Sequence, residues 1–159
     1  LKQVHESVGQ LKKMVKLRLE YCRKLTTLPP YLEMDNLAEF IISGCVKLEK
    51  LPEFGRNMES LYFFDVAGTS ITEIPQSIIR LTNLKYLDLS WCNRLKSIGE
   101  LPPNLIISAS HCRWLEPTSA LRHLYASCAP KVFMSFSKFV SYNSSLVLPF
   151  YIMTEEFSL

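Results

Sequence analysis

The chain has 159 residues, of which 48% are hydrophobic and 21% are charged, and its formal net charge at pH 7 is +3. This length and apolar content suffice for one compact domain. The net charge is small, and the Lys and Arg residues are scattered along the sequence without forming a basic cluster. Both observations argue against a nucleic-acid partner. No apolar run approaches the roughly 18 residues that a membrane-spanning helix needs, so we do not expect a membrane partner either.

One pattern of residues occurs four times along the chain. The first copy reads Leu17-x-Leu19-x-x-Cys22-x-x-Leu25-x-x-Leu28-Pro29. The other copies begin at Phe40, Phe64 and Leu87, so the period is 23 or 24 residues. A period of about 20–29 residues with this pattern predicts a leucine-rich-repeat solenoid. In each copy the two apolar residues separated by one variable residue predict a short strand with one face inward.

The Cys or Thr that follows each predicted strand is expected to be buried and to donate a hydrogen bond to backbone that lacks a ladder partner. These residues are Cys22, Cys45, Thr69, Cys92 and Cys112. We predict reduced thiols, and we regard disulfides between adjacent coils as a less favoured alternative because Thr69 interrupts the column. A zinc site from His111, Cys112, His123 and Cys128 is disfavoured because the spacing matches no C-x-x-C frame.

The segments that return between the copies have an apolar residue at every third position. Met34-x-x-Leu37-x-x-Phe40 is one example. This spacing predicts a short helix or 3-10 turn on the convex side of the solenoid, opposite parallel strands on the concave side. Stacking of successive units would supply the core, because one repeat cannot bury its own apolar row.

Both ends of the repeat array are irregular. A fifth, shorter copy covers residues 107–115, and Pro-rich residues 101–105 stand in place of a helical leg. Residues 1–4 look like the closing half of a repeat, and the chain has no initiator Met. We therefore predict that residues 1–116 are about five repeats, the first truncated and the last degenerate, from within a longer protein.

Residues 117–159 have a different character. Residues 118–127 fit a short helix, and alternation within 131–148 suggests strands. Three alternatives stay open for this segment: a capping element, the start of a second β domain, or an incomplete and partly disordered end. The predicted fold class is therefore α/β, a leucine-rich-repeat solenoid with parallel strands on the concave face, short helices or 3-10 turns on the convex face and a partly β C-terminal tail.

The sequence has no motif for catalysis or cofactor binding. Its five glycines are isolated, so no phosphate-binding loop is present. Its three histidines have no local nucleophile-and-base frame. We therefore predict that this chain has no enzymatic activity, no cofactor and no metal, and that its partner is a protein.

The outward positions beside the inward pairs form the candidate partner-binding surface. Solenoids commonly bind partners on this face, and aromatic and charged residues are enriched at interface hot spots. As an alternative, Phe63 and Tyr86 cover the edge of the sheet or pack on each other. The candidate residues are Lys16, Arg18, Tyr21, Glu39, Ile41, Phe63, Asp65, Tyr86, Asp88 and Trp91.

Three runs resemble the repeats of plant intracellular disease-resistance receptors of the TIR, nucleotide-binding and leucine-rich-repeat type. They are residues 17–29, 68–75 and 87–95, in which Cys repeats alternate with a Thr-x-Ile repeat. Residues 101–116 resemble the last repeat of such arrays. The resemblance covers residues 1–116, and 117–159 would correspond to a post-repeat β-sandwich region whose motifs are not recognisable here.

The resemblance implies a cytoplasmic or nuclear immune sensor. In such receptors the repeats hold the protein inactive through contacts with the nucleotide-binding domain, and they bind a pathogen effector or a guarded host protein. The modules that bind ADP or ATP and cleave NAD⁺ lie outside this chain. The alternative is another interaction scaffold, such as an extracellular receptor ectodomain or a ubiquitin-ligase substrate adaptor. An ectodomain would usually have Asn at position 22 and several glycosylation sequons, whereas this chain has one, at residues 143–145.

Overall fold

The computed structural model of the chain describes residues 1–113 and 115, so the predictions for 117–159 lie outside the described residues. The described elements are seven short strands and two 3-10 helices. In chain order they are η1 (Glu6–Gln10), β1 (Lys16–Arg18), β2 (Tyr31–Leu32), β3 (Glu39–Ile41), β4 (Glu53–Phe54), β5 (Phe63–Asp65), η2 (Gln76–Arg80), β6 (Tyr86–Asp88) and β7 (Ile106–Ser108).

Five of the strands form one parallel sheet in the order β1-β3-β5-β6-β7. Its register joins equivalent positions of successive repeats, so that Leu17 lies beside Phe40, which lies beside Phe64. Leu87 and Ile107 continue the same row. Each repeat therefore forms one coil, and the predicted leucine-rich-repeat solenoid is confirmed.

The core lies behind this sheet. Phe40 and Phe64 stack with ring centroids 5.0 Å apart, and Phe54 meets Phe64 edge to face at 5.5 Å. All three rings are almost fully buried. The contacts join the second coil to the third, so that the apolar row of one coil is covered by the next.

The thiols and the threonine that follow the strands occupy the predicted position. Cys45 Sγ donates to the carbonyl of Leu19 at 3.1 Å, and Cys112 Sγ donates to that of Leu89 at 3.0 Å, in each case in the preceding coil. Thr69 instead donates to a carbonyl of its own coil. The four cysteines among the described residues are free thiols, as expected, but Cys22 is only partly buried because it follows β1, the edge strand of the sheet. Burial raises the pKa of Cys112 to about 12, which suits a hydrogen-bond donor and not a nucleophile.

The convex side differs from the prediction in two of its legs. Both described helices, η1 and η2, are 3-10 helices as expected, but the two legs between them contain β2 and β4. These strands pair in parallel, with Glu53 N donating to Pro30 O at 2.9 Å and Gly55 N to Leu32 O at 2.8 Å. These two strands were not predicted. They precede the segments with apolar third positions, and in the first of those segments Leu37 N donates to Met34 O at 2.9 Å, which is the bond of the predicted 3-10 turn. In β2 and β4, adjacent extended segments satisfy each other's backbone, while Leu32 and Phe54 turn inward.

A serine side chain completes this small sheet where η2 takes the place of a third strand. Phe54 N donates to Ser77 Oγ at 2.8 Å, and Ser77 is buried. Arg80 Nη1 donates to the carbonyl of Phe54 at 3.3 Å. The edge of β4 is thus hydrogen-bonded by side chains of the next coil.

We expect Ser77→Ala to destabilise the chain by about 1–3 kcal/mol, because it leaves the buried Phe54 N–H without an acceptor. Urea unfolding of the full chain measures the difference in unfolding free energy. Ser97→Ala is the matched control, since Ser97 is exposed. Equal stability of the two variants would contradict this role of the hydroxyl.

Candidate protein-binding surface

The outward face of the five-stranded sheet presents its side chains in columns. Because the strands are parallel and in register, equivalent side chains of adjacent coils lie roughly 5 Å apart. We call this face, with the turn residues that follow each strand, the strand surface. The predicted candidates all lie on it, and the strand positions form two columns, which β7 continues with Ile106 and Ser108: Lys16, Glu39, Phe63 and Tyr86; and Arg18, Ile41, Asp65 and Asp88. The residues after the strands form two more columns: Glu20, Ser43, Ala67 and Ser90; and Tyr21, Gly44, Gly68 and Trp91.

An ion-pair cluster occupies the N-terminal part of the strand surface. Glu39 accepts from Lys16 Nζ and from Arg18 Nη2, each at 2.7 Å, and Tyr62 OH donates to its Oε1 at 3.0 Å. The hydrogen bonds from Lys16 and then Arg18 lower the pKa of Glu39 to about 2. Tyr62 was not anticipated from the sequence, because it precedes β5 and lies outside the alternating positions.

This cluster limits what the N-terminal part offers to a partner. The Glu39 side chain is only 11% exposed, and Ile41 is buried beside it. Lys16 and Arg18 remain about half exposed, but both are engaged with Glu39. The structure therefore brings these four candidates together, while Glu39 and Ile41 contribute little accessible area.

Aromatic residues lie in the middle of the strand surface. Phe63 and Tyr86 are neighbours in the register, with ring centroids 6.1 Å apart and planes inclined by 44°. Phe63 is half-buried, whereas Tyr86 stays 44% exposed. The two rings pack on each other, as in the alternative given for them from the sequence. The outer side of the Tyr86 ring remains exposed and could contact a partner.

The turn after each strand has a left-handed backbone. Tyr21 and Trp91 have φ values of 55° and 62°, and Gly44 and Gly68 have φ values of 72° and 67°. His111 continues the column with φ of 62°, and its ring stacks on Trp91 at a centroid distance of 4.0 Å. Tyr21 and Trp91 are 72% and 55% exposed. His111 is thus a site neighbour that the prediction left out.

Two carboxylates lie beside this turn. Asp65 Oδ1 accepts from the backbone N–H of Ala67 at 2.9 Å, and Asp88 Oδ1 accepts from that of Ser90 at 2.8 Å. These bonds draw both carboxylates toward the C-terminal end of their strands. Burial raises the pKa of Asp65, and the charges of Asp88 and Glu20 act in the same direction. Among residues 1–113 no Lys or Arg forms an ion pair with either aspartate.

The described part of the chain has no group of three or more His, Cys, Asp and Glu residues arranged to hold a metal ion. His123 and Cys128, which the zinc alternative requires, lie outside it. Within the same residues, neither helix has the length and apolar character to cross a membrane.

Glu39→Gln should destabilise the chain at pH 7 and have no effect near pH 2. The pKa of Glu39 is lowered from 4.5 to about 2, so its carboxylate stabilises the fold above pH 4.5 and loses this contribution as the pH falls to about 2. Urea unfolding at pH 7, 4 and 2 measures the trend, with the exposed Glu73→Gln as control. A difference between native and variant that does not change with pH would contradict the role of the ion pairs.

Comparison with known proteins adds the family context. A family model described as Leucine Rich Repeat matches residues 83–108, which include β6 and β7. Disease resistance protein RPP2A of Arabidopsis thaliana is 39% identical over 94 residues, which cover 59% of this chain and 7% of that protein. Disease resistance protein RPS4B of the same plant is 30% identical over 132 residues, 70% of this chain and 11% of that protein.

A third relative, disease resistance protein RPS4 of Arabidopsis thaliana, is 29% identical over 141 residues, which cover 75% of this chain and 11% of that protein. The chain therefore spans about a tenth of the length of these relatives. The resemblance stated from the repeat motifs is confirmed. The chain is a leucine-rich-repeat solenoid whose repeats are similar to those of plant disease resistance proteins.

Proposed function

We propose that this chain is the recognition module of an intracellular plant immune receptor and that its strand surface binds a protein. The observation that carries the proposal is the exposure of three large rings, Tyr21, Tyr86 and Trp91, on one face of the solenoid. Rings of this kind supply a large contact area with little conformational freedom to lose, and they dominate many protein interfaces. The similarity to disease resistance proteins supports the immune role.

The proposed partner is a pathogen effector or a host protein that the receptor guards. In a longer parent protein the same module would contact a nucleotide-binding domain and restrain it. A partner activates such a receptor only if it binds the open state more tightly than the restrained state. ADP or ATP binding and NAD⁺ cleavage would belong to other modules of the parent, and the receptor would act in the cytoplasm or the nucleus to start a defence response.

The charge pattern of the strand surface supports a protein partner over a nucleic acid. Its two N-terminal cations are held by Glu39, while Asp65, Asp88 and Glu20 place negative charge along the strands' C-terminal ends. A nucleic-acid surface would instead present unpaired cations to phosphates. The surface is therefore suited to a partner that brings its own positive charge.

We expect the double variant Asp88→Lys, Trp91→Asn to keep its fold and to bind a partner about 100-fold more weakly, as hot-spot loss implies. Asn is chosen because it tolerates the positive φ of position 91. The dissociation constant is measured by calorimetry with the full chain and a partner selected against the native chain from a library of pathogen effectors and host proteins. Circular dichroism verifies the fold.

Tyr31→Ala is the matched control for this experiment. Tyr31 is 62% exposed, but it lies in β2 on the opposite side of the solenoid, so its loss should leave affinity unchanged. Unchanged binding by the folded double variant, or a loss of binding caused by Tyr31→Ala alone, would contradict the assignment of the strand surface.

A further inference from the structure

The turns after the strands leave an open space over Gly68, beside Trp91 of the next coil, which we call the slot. The Tyr21 ring lies over Gly44, where an added Cβ would be 2.5 Å from Tyr21 Cδ1. In the next coil an added Cβ at Gly68 would meet only backbone atoms of Gly44, the nearest at 3.7 Å. The coil after that carries Trp91. The backbone of Gly68 thus forms the uncovered base of the slot, which we call its floor. Along the column, the Tyr21 ring over Gly44 lies on one side of Gly68 and Trp91 lies on the other.

One face of the Trp91 indole is open toward this floor. The other face is covered by His111, whose ring is nearly parallel to it, with an angle of 5° between the planes. With one face covered, Trp91 is still 55% exposed, so its remaining face is accessible. The stacking direction runs from coil to coil, because Trp91 and His111 occupy the same position in adjacent coils. The free face therefore points along the column toward the space above Gly68.

The slot is wide enough for one flat group. Gly68 and Trp91 occupy the same position in adjacent coils, roughly 5 Å apart, and Gly68 lacks the side chain that would fill the space facing Trp91. A planar group stacked on one ring needs about 3.5–4 Å. Gly68 thus leaves room for a single planar layer on the free face of Trp91.

Two carboxylates at the edge of the slot, which we call its rim, favour a positively charged ligand. Asp65 and Asp88 lie three residues before Gly68 and Trp91, and their Oδ1 hydrogen bonds turn them toward this end of the strands. Each commits Oδ1 to its own backbone, and Ser43 also donates a hydrogen bond to Asp65. No cation of the described residues forms an ion pair with either carboxylate. A positively charged group entering the slot would supply the missing counter-charge.

We infer that this slot binds the guanidinium group of an arginine side chain on the protein partner. Guanidinium is planar, permanently charged and stacks on aromatic faces, and it donates to carboxylates in its own plane. A lysine ammonium would satisfy the aspartates without filling a flat slot, and an aromatic side chain would fill the slot without pairing with the aspartates. The inference rests on the proposed function in one respect, namely that the arginine belongs to the protein partner. Binding of arginine to the slot can be tested without that partner.

The test uses N-acetyl-arginine amide as the probe and N-acetyl-citrulline amide as its neutral counterpart of nearly the same shape. The full chain is labelled with ¹⁵N, and the indole N–H signal of Trp91 is followed during titration, with Trp91→His identifying that signal. We expect the arginine probe to shift the Trp91 signal in a saturable manner and to bind at least about fivefold more tightly than the citrulline probe. N-acetyl-tyrosine amide and N-acetyl-lysine amide test the two rival side chains.

Variants test the separate contributions of the floor and the rim of the slot to arginine binding. Gly68→Asn accepts the positive φ of 67° and places a side chain on the floor, so it should abolish the shift. Asp65→Asn with Asp88→Asn should weaken the arginine probe by about fivefold or more and leave the tyrosine probe unchanged. Tyr31→Ala, in β2 on the opposite side of the solenoid, should leave arginine binding intact.

Equal binding of the arginine and citrulline probes, tighter binding of the tyrosine or lysine probe, or unchanged arginine binding by a folded Gly68→Asn variant would overturn the inference. These outcomes are distinct from failure of the proposed function. A partner that needs Trp91 and Asp88 but contributes no arginine would reject the slot ligand alone. Saturable arginine binding by a chain whose strand surface binds no protein would reject the recognition role alone.

Discussion

The structure depends on one constraint, which is that no coil can bury its own apolar row. Each strand has only two or three residues, and a single coil offers no second layer to cover it. Burial is achieved by repeating the same register from β1 to β7, so that Phe40 packs on Phe64 and every inward residue has a counterpart beside it. Thiols at the strand ends donate to carbonyls of the preceding coil and reinforce the same stacking.

The register that builds the core also orders the surface. Because the strands pair in register, outward residues lie in columns just as inward residues do. Where one coil has a smaller side chain than its neighbours, the column has a gap. Gly44 and Gly68 form such a gap between the exposed rings of Tyr21 and Trp91. The left-handed backbone at this position is easy for Gly and costly for bulky residues, so Trp91 carries a conformational cost. An exposed ring at a position with this cost supports the proposed recognition role.

The sequence predicted the structural features that recur in every repeat. The five strands and their register follow from the 23- or 24-residue spacing, and the structure bears them out. The predicted thiol position is buried at Cys45, Cys92 and Cys112 but only partly buried at Cys22. The sequence did not predict β2 and β4, because two-residue strands have too little alternation to distinguish them from a turn. The burial of Glu39 was missed as well, since it depends on Tyr62 and on two cations from the preceding coil. Such contacts join positions that carry no periodic signal.

If a protein partner covers the strand surface, hydroxyl-radical footprinting of the full chain with and without the bound partner will detect the covered rings. Tyr21, Tyr86 and Trp91 are exposed on the strand surface, and Tyr31 is a matched exposed ring on the opposite side. We expect the partner to slow oxidation of Tyr21, Tyr86 and Trp91 and to leave oxidation of Tyr31 unchanged. Protection of Tyr31 with undiminished oxidation of Tyr21, Tyr86 and Trp91 would contradict this expectation.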